Sequence, residues 1–330
     1  MTTIEYSAAL RRFPFPFTKD EYRYSTNIEP AGSVATTAAG SWGAHQLDID
    51  EHYLPELAQR TAILDRDPGR YQCLPHMAAA AWDAMLTLMD RLAAEYPADM
   101  SLARDGSRWR WRNDRLGADL SFTYGDEDSL PAPPLRFIAD QVQEDIVLLD
   151  QREGGLWGDA GVVTFAADWS MGFDCGMSFL EIHGPVPRIH TERVITRAHD
   201  FLLRLTPEQA YRRTNWTLTV DGKLDTSTEG YPEWGRDRRT LAEGPLSAVG
   251  DRLYLRVEVQ HLIRLANSGA VMFLIRTYLR SLREVASVPE WGRRLHRVLA
   301  ELPQDMADYK GLTRTREPAV AWLGSIGMDA

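Results

Sequence analysis

His183 is the residue whose setting most invites chemistry. It follows the apolar stretch Phe179-Leu180-Glu181-Ile182, which reads as the end of a strand, and it precedes Gly184, Pro185, Val186 and Pro187. The two prolines stiffen the chain and remove two backbone donors. An imidazole fixed in this way loses little entropy on binding, and neutral imidazole is the commonest metal ligand and the usual axial ligand of haem iron. Two other readings stay open: a hydrogen-bonded structural histidine, or a non-haem iron or zinc site in which Glu181, His183, His190 and Glu192 supply imidazoles and carboxylates.

A second group of chemical residues lies in the stretch from Leu253 to Ile263, where Leu253, Leu255, Val257 and Val259 alternate with Tyr254, Arg256, Glu258 and Gln260. Strict alternation predicts a strand with Arg256, Glu258 and Gln260 on one face, and Arg276, in the following strand, is expected to join them. If that face is covered, its charges need partners or a ligand: arginine suits a propionate, and glutamate suits a cationic amine. If it is open, it is the solvated side of an antiparallel sheet. Arg212, Arg213, Asn215 and Trp216 are further pocket candidates that also suit plain packing at a helix-to-strand junction. Neither a G-x-G-x-x-G or G-K-[ST] phosphate loop, nor a G-x-S-x-G elbow, nor an H-E-x-x-H helix occurs, so nicotinamide binding, nucleotide hydrolysis and zinc proteolysis lose their usual support.

The elements that position these residues follow from periodicity. Residues 1–45 are rich in Pro, Gly, Thr and aromatics without a period and read as an irregular arm. Leu54, Leu57 and Ile63, then Trp82, Met85, Leu86, Met89 and Leu92, mark two helices, the second ending before Pro97. Trp109-Arg110-Trp111 and Leu120-Ser121-Phe122 suggest a hairpin. After Pro133-Pro134 a helix is expected to carry Ile138, Val142, Ile146 and Leu149, and the apolar run Ala160 to Ala167 reads as a central strand. Val194 to Leu205 is helical and Trp216 to Val220 strand-like. Asn267-Ser268-Gly269 turns the long hairpin into a strand over Val271 to Tyr278, and a last helix runs from Pro289 to Pro303. Helices at both ends of a mainly antiparallel middle make the class α+β.

Composition bounds the partners. A chain of 330 residues, 44% of them hydrophobic, can bury a large core, and its net charge of -10 argues against nucleic acid or anionic membrane. Cys73 and Cys175 are too few for a disulfide scaffold or a four-cysteine cluster, and no stretch is apolar enough to span a bilayer. A soluble, cytoplasmic protein acting on small molecules is the expectation.

Several ordered blocks are similar to the haem-dependent oxidative N-demethylase family. They are Leu47-Asp48-Ile49-Asp50-Glu51-His52-Tyr53 with Arg60, Val142-Gln143-Glu144-Asp145, Ile182-His183-Gly184-Pro185-Val186-Pro187 and Arg213-Thr214-Asn215-Trp216. Leu255-Arg256-Val257-Glu258-Val259-Gln260, Phe273-Leu274-Ile275-Arg276-Thr277-Tyr278 and Tyr309-Lys310-Gly311-Leu312 complete the set. The resemblance implies a PAS-like, mainly antiparallel sheet with flanking helices that binds haem b, over residues 46–330. It implies oxidation of a small secondary methylamine by dioxygen to a primary amine and formaldehyde. Electrons would come from a separate reductase carrying flavin and an iron–sulfur cluster, with a folate-using partner as formaldehyde acceptor. His183 becomes the axial haem ligand, Arg276 and Gln260 cofactor-binding residues, and Glu258 and Arg256 catalytic residues. The chain departs from the family pattern at Ala166-Ala167-Asp168-Trp169, at Gly172-Phe173-Asp174, at Val259 and at Ala266, so the substrate is open. A haem-based gas sensor and a scaffold without haem are the non-enzymatic alternatives.

Overall fold

The alternating stretch forms as its pattern requires. Leu253–Arg264 and Val271–Ser281 pair antiparallel from Tyr254 opposite Ser281 to Arg264 opposite Val271. The turn between them is held from outside: the Asp83 carboxylate, on the helix Ala78–Glu95, accepts from the Asn267 and Ser268 backbone N–H groups at 3.0 and 2.7 Å and from both side chains. Gly269 takes the left-handed conformation (φ 73°) that closes it.

The computed structural model describes residues 5–188 and 193–329. In chain order the strands are β1 (Glu29–Pro30), β2 (Ala35–Thr36), β3 (Ser41–Trp42), β4 (Tyr71–Cys73), β5 (Met100–Asp105), β6 (Arg108–Asn113), β7 (Ala118–Thr123), β8 (Asp145–Arg152), β9 (Gly155–Val162), β10 (Tyr211–Val220), β11 (Leu253–Arg264) and β12 (Val271–Ser281). Seven of them make one sheet in the order β1-β10-β11-β12-β8-β9-β4, every pairing antiparallel. β5, β6 and β7 form a separate meander, and β2 pairs with β3. With helices on its flanks the architecture is α+β, as the sequence led us to expect. No helix among the described residues is long and apolar enough to cross a membrane.

Both faces of the large sheet are covered. One face carries Trp216, Leu218, Leu255, Val257, Val259, Met272, Leu274 and Arg276. Two apolar cores cover it: one under the helices Tyr53–Arg66 and Ala78–Glu95, the other under Pro289–Glu301 and Arg316–Ser325. The N-terminal arm wraps the second core, with Phe15 stacked on Trp291 at 4.8 Å. The other face carries Arg213, Asn215, Arg256, Glu258, Gln260 and Thr277, and a third apolar core lies over it beneath Val194–Leu203. We call these the Arg276 face and the Arg256 face.

Two expected elements change. The helix after Pro134 stops at Ala139, and Ile146 to Leu149 belong to β8 instead. That segment is buried on both sides in the middle of the sheet, where strand alternation disappears and a four-residue spacing imitates a helix. The strand expected over Ala160 to Ala167 starts earlier, at Gly155, and ends at Val162, after which Asp145 turns the chain by accepting from the backbone N–H groups of Thr164 and Phe165 at 3.0 and 2.8 Å.

β12 hands over to the helix Leu282–Ala286 through a reciprocal cap. The Ser281 hydroxyl accepts from the Glu284 N–H at 3.2 Å, and the Glu284 carboxylate accepts from the Ser281 N–H at 2.8 Å. Ser281→Ala is expected to lower stability by about 1 kcal/mol, read from the urea midpoint with an unchanged slope.

Candidate functional site

The site lies on the Arg256 face, and register puts it there. Across β10 and β11, Arg213 lies opposite Gln260, Asn215 opposite Glu258 and Thr217 opposite Arg256, so all six side chains share one face. Arg256, Glu258 and Gln260 are 0, 5 and 6% exposed, so this is a covered polar face rather than a solvated one.

Arg256 is fully engaged by the protein. It donates to the carbonyls of Leu224 at 2.5 Å and Phe165, to the Thr277 hydroxyl at 3.1 Å and to Glu258 at 3.2 Å. It therefore ties the 165 and 224 loops to the sheet and has little left to offer a ligand. Glu258 also accepts from Gln260 Nε2 at 2.9 Å and Asn215 Nδ2 at 3.3 Å. Gln260 Oε1 is buried with no partner among the described residues, an acceptor aligned with nothing the chain supplies.

Arg276, expected to join this group, lies on the opposite face because it pairs with Val259. There it donates to Asp50 at 2.7 Å and Glu56 at 2.9 Å and is 2% exposed. Asp50 and Glu144 around it, with Asp48 and Gln143 bonded to that group, come from the first two sequence blocks, so those blocks contribute to a buried ionic network behind the sheet rather than to the polar site.

His183 is not at a strand end. It caps the one-turn helix Phe179–Ile182, which opens with a capping box between Ser178 and Glu181. Ser178 and Glu181 favour helix initiation, and Gly184 and Pro185 end the turn at once. His183 Nδ1 lies 2.8 Å from the Phe179 carbonyl, and a carbonyl only accepts, so Nδ1 carries the proton and Nε2 keeps its lone pair. The ring packs on Phe179 with centroids 4.3 Å apart. Burial, helped by the Arg213 cation, lowers its pKa to about 4, so the imidazole is neutral at physiological pH. Glu181 is occupied by its cap, while His190 and Glu192 lie outside the described residues. Among the described residues the one three-ligand set of metal-binding type is His76, Asp150 and Asp159, which does not include His183 and whose two carboxylates Arg152 already bridges.

Lys310 closes the end of this face; the sequence placed it in the block Tyr309-Lys310-Gly311-Leu312 without giving it a role. Its Nζ donates to Asn215 Oδ1 at 3.2 Å and the Trp216 carbonyl at 2.9 Å, 4.8 Å from the Trp216 ring centre. Its carbonyl accepts from the Thr217 hydroxyl at 2.9 Å. Burial and the Arg213 cation push its pKa down to about 8. A signal was present: the chain uses arginine almost throughout, and Lys19, Lys223 and Lys310 are its only lysines.

A neutral imidazole with an open Nε2 and a covered sheet face of charged side chains are the candidate site of this α+β protein. The family model described as haem-dependent oxidative N-demethylase, alpha subunit-like, matches residues 38–320, and the chain belongs to that family. The family's name carries haem dependence, an oxidative N-demethylase activity and likeness to an alpha subunit.

Proposed function

We propose that the protein is the haem-binding subunit of an oxygenase that removes a methyl group from a small amine, on a PAS-like sheet, and that His183 would hold the haem iron. The observation that carries this is the state of His183: a neutral ring, its tautomer fixed by the Phe179 carbonyl, its Nε2 without a partner among the described residues. That is the state in which imidazole ligates iron, and the hydrogen bond at the other nitrogen orients the ring and raises its basicity.

The surrounding residues fit haem b on their own chemistry. The third core supplies an apolar lining, Gln260 Oε1 is an acceptor without a donor, and Arg213 and Lys310 are cations without a carboxylate within 4.0 Å among the described residues. Bound haem would supply the redox chemistry at a carbon next to nitrogen. Glu258, held between Arg256, Gln260 and Asn215, would orient the amine or hold a proton, and Arg256 would position Glu258. Dioxygen and electrons from a separate flavin and iron–sulfur reductase complete the reaction, with a folate-using protein to accept formaldehyde. In this reading residues 46–330 form the haem-binding unit and 1–45 an arm around it.

The test is the absorption spectrum of protein supplied with haem b, in ferric, ferrous and carbon monoxide states, for wild type and His183→Ala. The expected result is a Soret band in wild type that is displaced or lost in the variant, and reductant-driven release of formaldehyde from a secondary methylamine by wild type alone. Well-folded wild type that binds no haem sinks the proposal.

A further inference from the structure

We propose that Arg213 and Lys310 form a carboxylate-binding pair on the Arg256 face; the inference rests on the haem reading only for one of the two sources of that carboxylate. Both side chains are half-buried; Arg213 lies on the face of the sheet that carries Glu258, and Lys310 reaches that face at Asn215 Oδ1 from the sheet's edge. Arg213 uses Nε to donate to the Thr26 carbonyl at 3.1 Å, which leaves the fork of Nη1 and Nη2 without a partner among the described residues. Lys310 has two neutral acceptors, Asn215 Oδ1 and the Trp216 carbonyl, and the Trp216 ring beside its ammonium, but no carboxylate within 4.0 Å among the described residues. The carboxylate closest in register is Glu258, opposite Asn215, and it is already shared by Arg256, Gln260 and Asn215.

Charge makes the case. Arg213, Lys310 and Arg256 bring three positive charges to this face, and Glu258 brings one negative charge. A covered face does not leave unpaired cations without cost, so an anion is the missing partner. A planar guanidinium fork beside a point-charge ammonium suits a carboxylate, which takes two parallel bonds from the first and one from the second. Arg213 also lies within electrostatic reach of His183. Two ligands bring a carboxylate there: a propionate of the porphyrin, or an amine substrate that is also an acid, such as an N-methyl amino acid.

The test uses the full chain as wild type, Arg213→Gln, Lys310→Met and the charge-keeping Arg213→Lys, each checked for native circular dichroism. Iron protoporphyrin and its dimethyl ester, which lacks free carboxylates, are titrated by absorbance. N-methylglycine and dimethylamine are titrated into haem-loaded protein by the shift of the Soret band, and glutarate into haem-free protein by calorimetry. If the partner is a propionate, both neutral variants bind the free-acid porphyrin about tenfold or more weakly, the diester is unaffected, and Arg213→Lys recovers part of the loss. If it is a substrate carboxylate, the loss falls on N-methylglycine and spares porphyrin and dimethylamine. Should wild type take up no porphyrin, the haem reading fails alone, and glutarate binding that both neutral variants lose still sustains the pair. Equal affinity of wild type and variants for all the carboxylate probes, or no binding of any of them, overturns the inference.

Discussion

Replacing Arg256 by methionine is expected to lower the unfolding free energy by about 3–5 kcal/mol, the range for removing one partner of a buried, hydrogen-bonded charge pair. Arg256 is 0% exposed and its guanidinium reaches four acceptors on four separate segments: Phe165, Leu224, Glu258 and Thr277. Methionine fills similar volume, so the loss is polar: two carbonyls and one carboxylate stay buried without their donor. Chemical denaturation of the haem-free protein measures this directly. A loss under about 1 kcal/mol would mean that water replaces the guanidinium, and that the loops at 165 and 224 are not held by it. Loss of any activity in this variant would then report on folding, which is why the role given to Arg256 is positioning.

The same residue shows how much of the site could be read from sequence. The alternation from Leu253 to Gln260 places Arg256, Glu258 and Gln260 together, and they are together. Arg276 could not be placed that way. Its strand reads Val271-Met272-Phe273-Leu274-Ile275, apolar on both sides because β12 lies inside the sheet with both faces covered, so the sequence carries no parity. Parity comes from the turn, and a shift of one residue in the hairpin would have moved Arg276 to the face of Glu258. β8 misleads for the same reason. The one-turn helix before His183 has its capping box in plain view at Ser178 and Glu181, but four residues are too short for a period to form. Lys310 reaches Asn215 across 95 positions of chain, a tertiary contact that no local pattern encodes.

Behind the sheet, Glu144→Gln is expected to raise stability by about 3 kcal/mol at pH 8 while changing it little at pH 5. Glu144 is 1% exposed in the network of Asp48, Asp50, Glu56 and Arg276, and accepts from the Asp48 N–H at 3.3 Å. Burial, opposed by the Arg276 cation, raises its carboxyl from 4.5 to about 7. Arg276 is committed to Asp50 and Glu56, and Asp48 takes Arg12 at 2.6 Å and the Tyr278 hydroxyl at 2.9 Å, so no cation remains for a fourth anion. The sign follows from proton counts. Between the unfolded value and the folded one the native state holds a proton that the unfolded chain has released, so stability is full below about pH 4.5 and falls as pH rises to about 7, by about 1.4 kcal/mol per unit at most. Asp50, whose carboxyl is held below its usual range despite burial by Arg276 and Gln143, acts in the opposite sense and only at lower pH, so the two windows separate. Glutamine keeps an acceptor for the Asp48 N–H and does not titrate. Urea denaturation of both proteins at pH 5, 6, 7 and 8 gives the comparison: a wild-type decline that persists unchanged in Glu144→Gln would move its origin to other raised carboxyls, Asp174 among them at about 6.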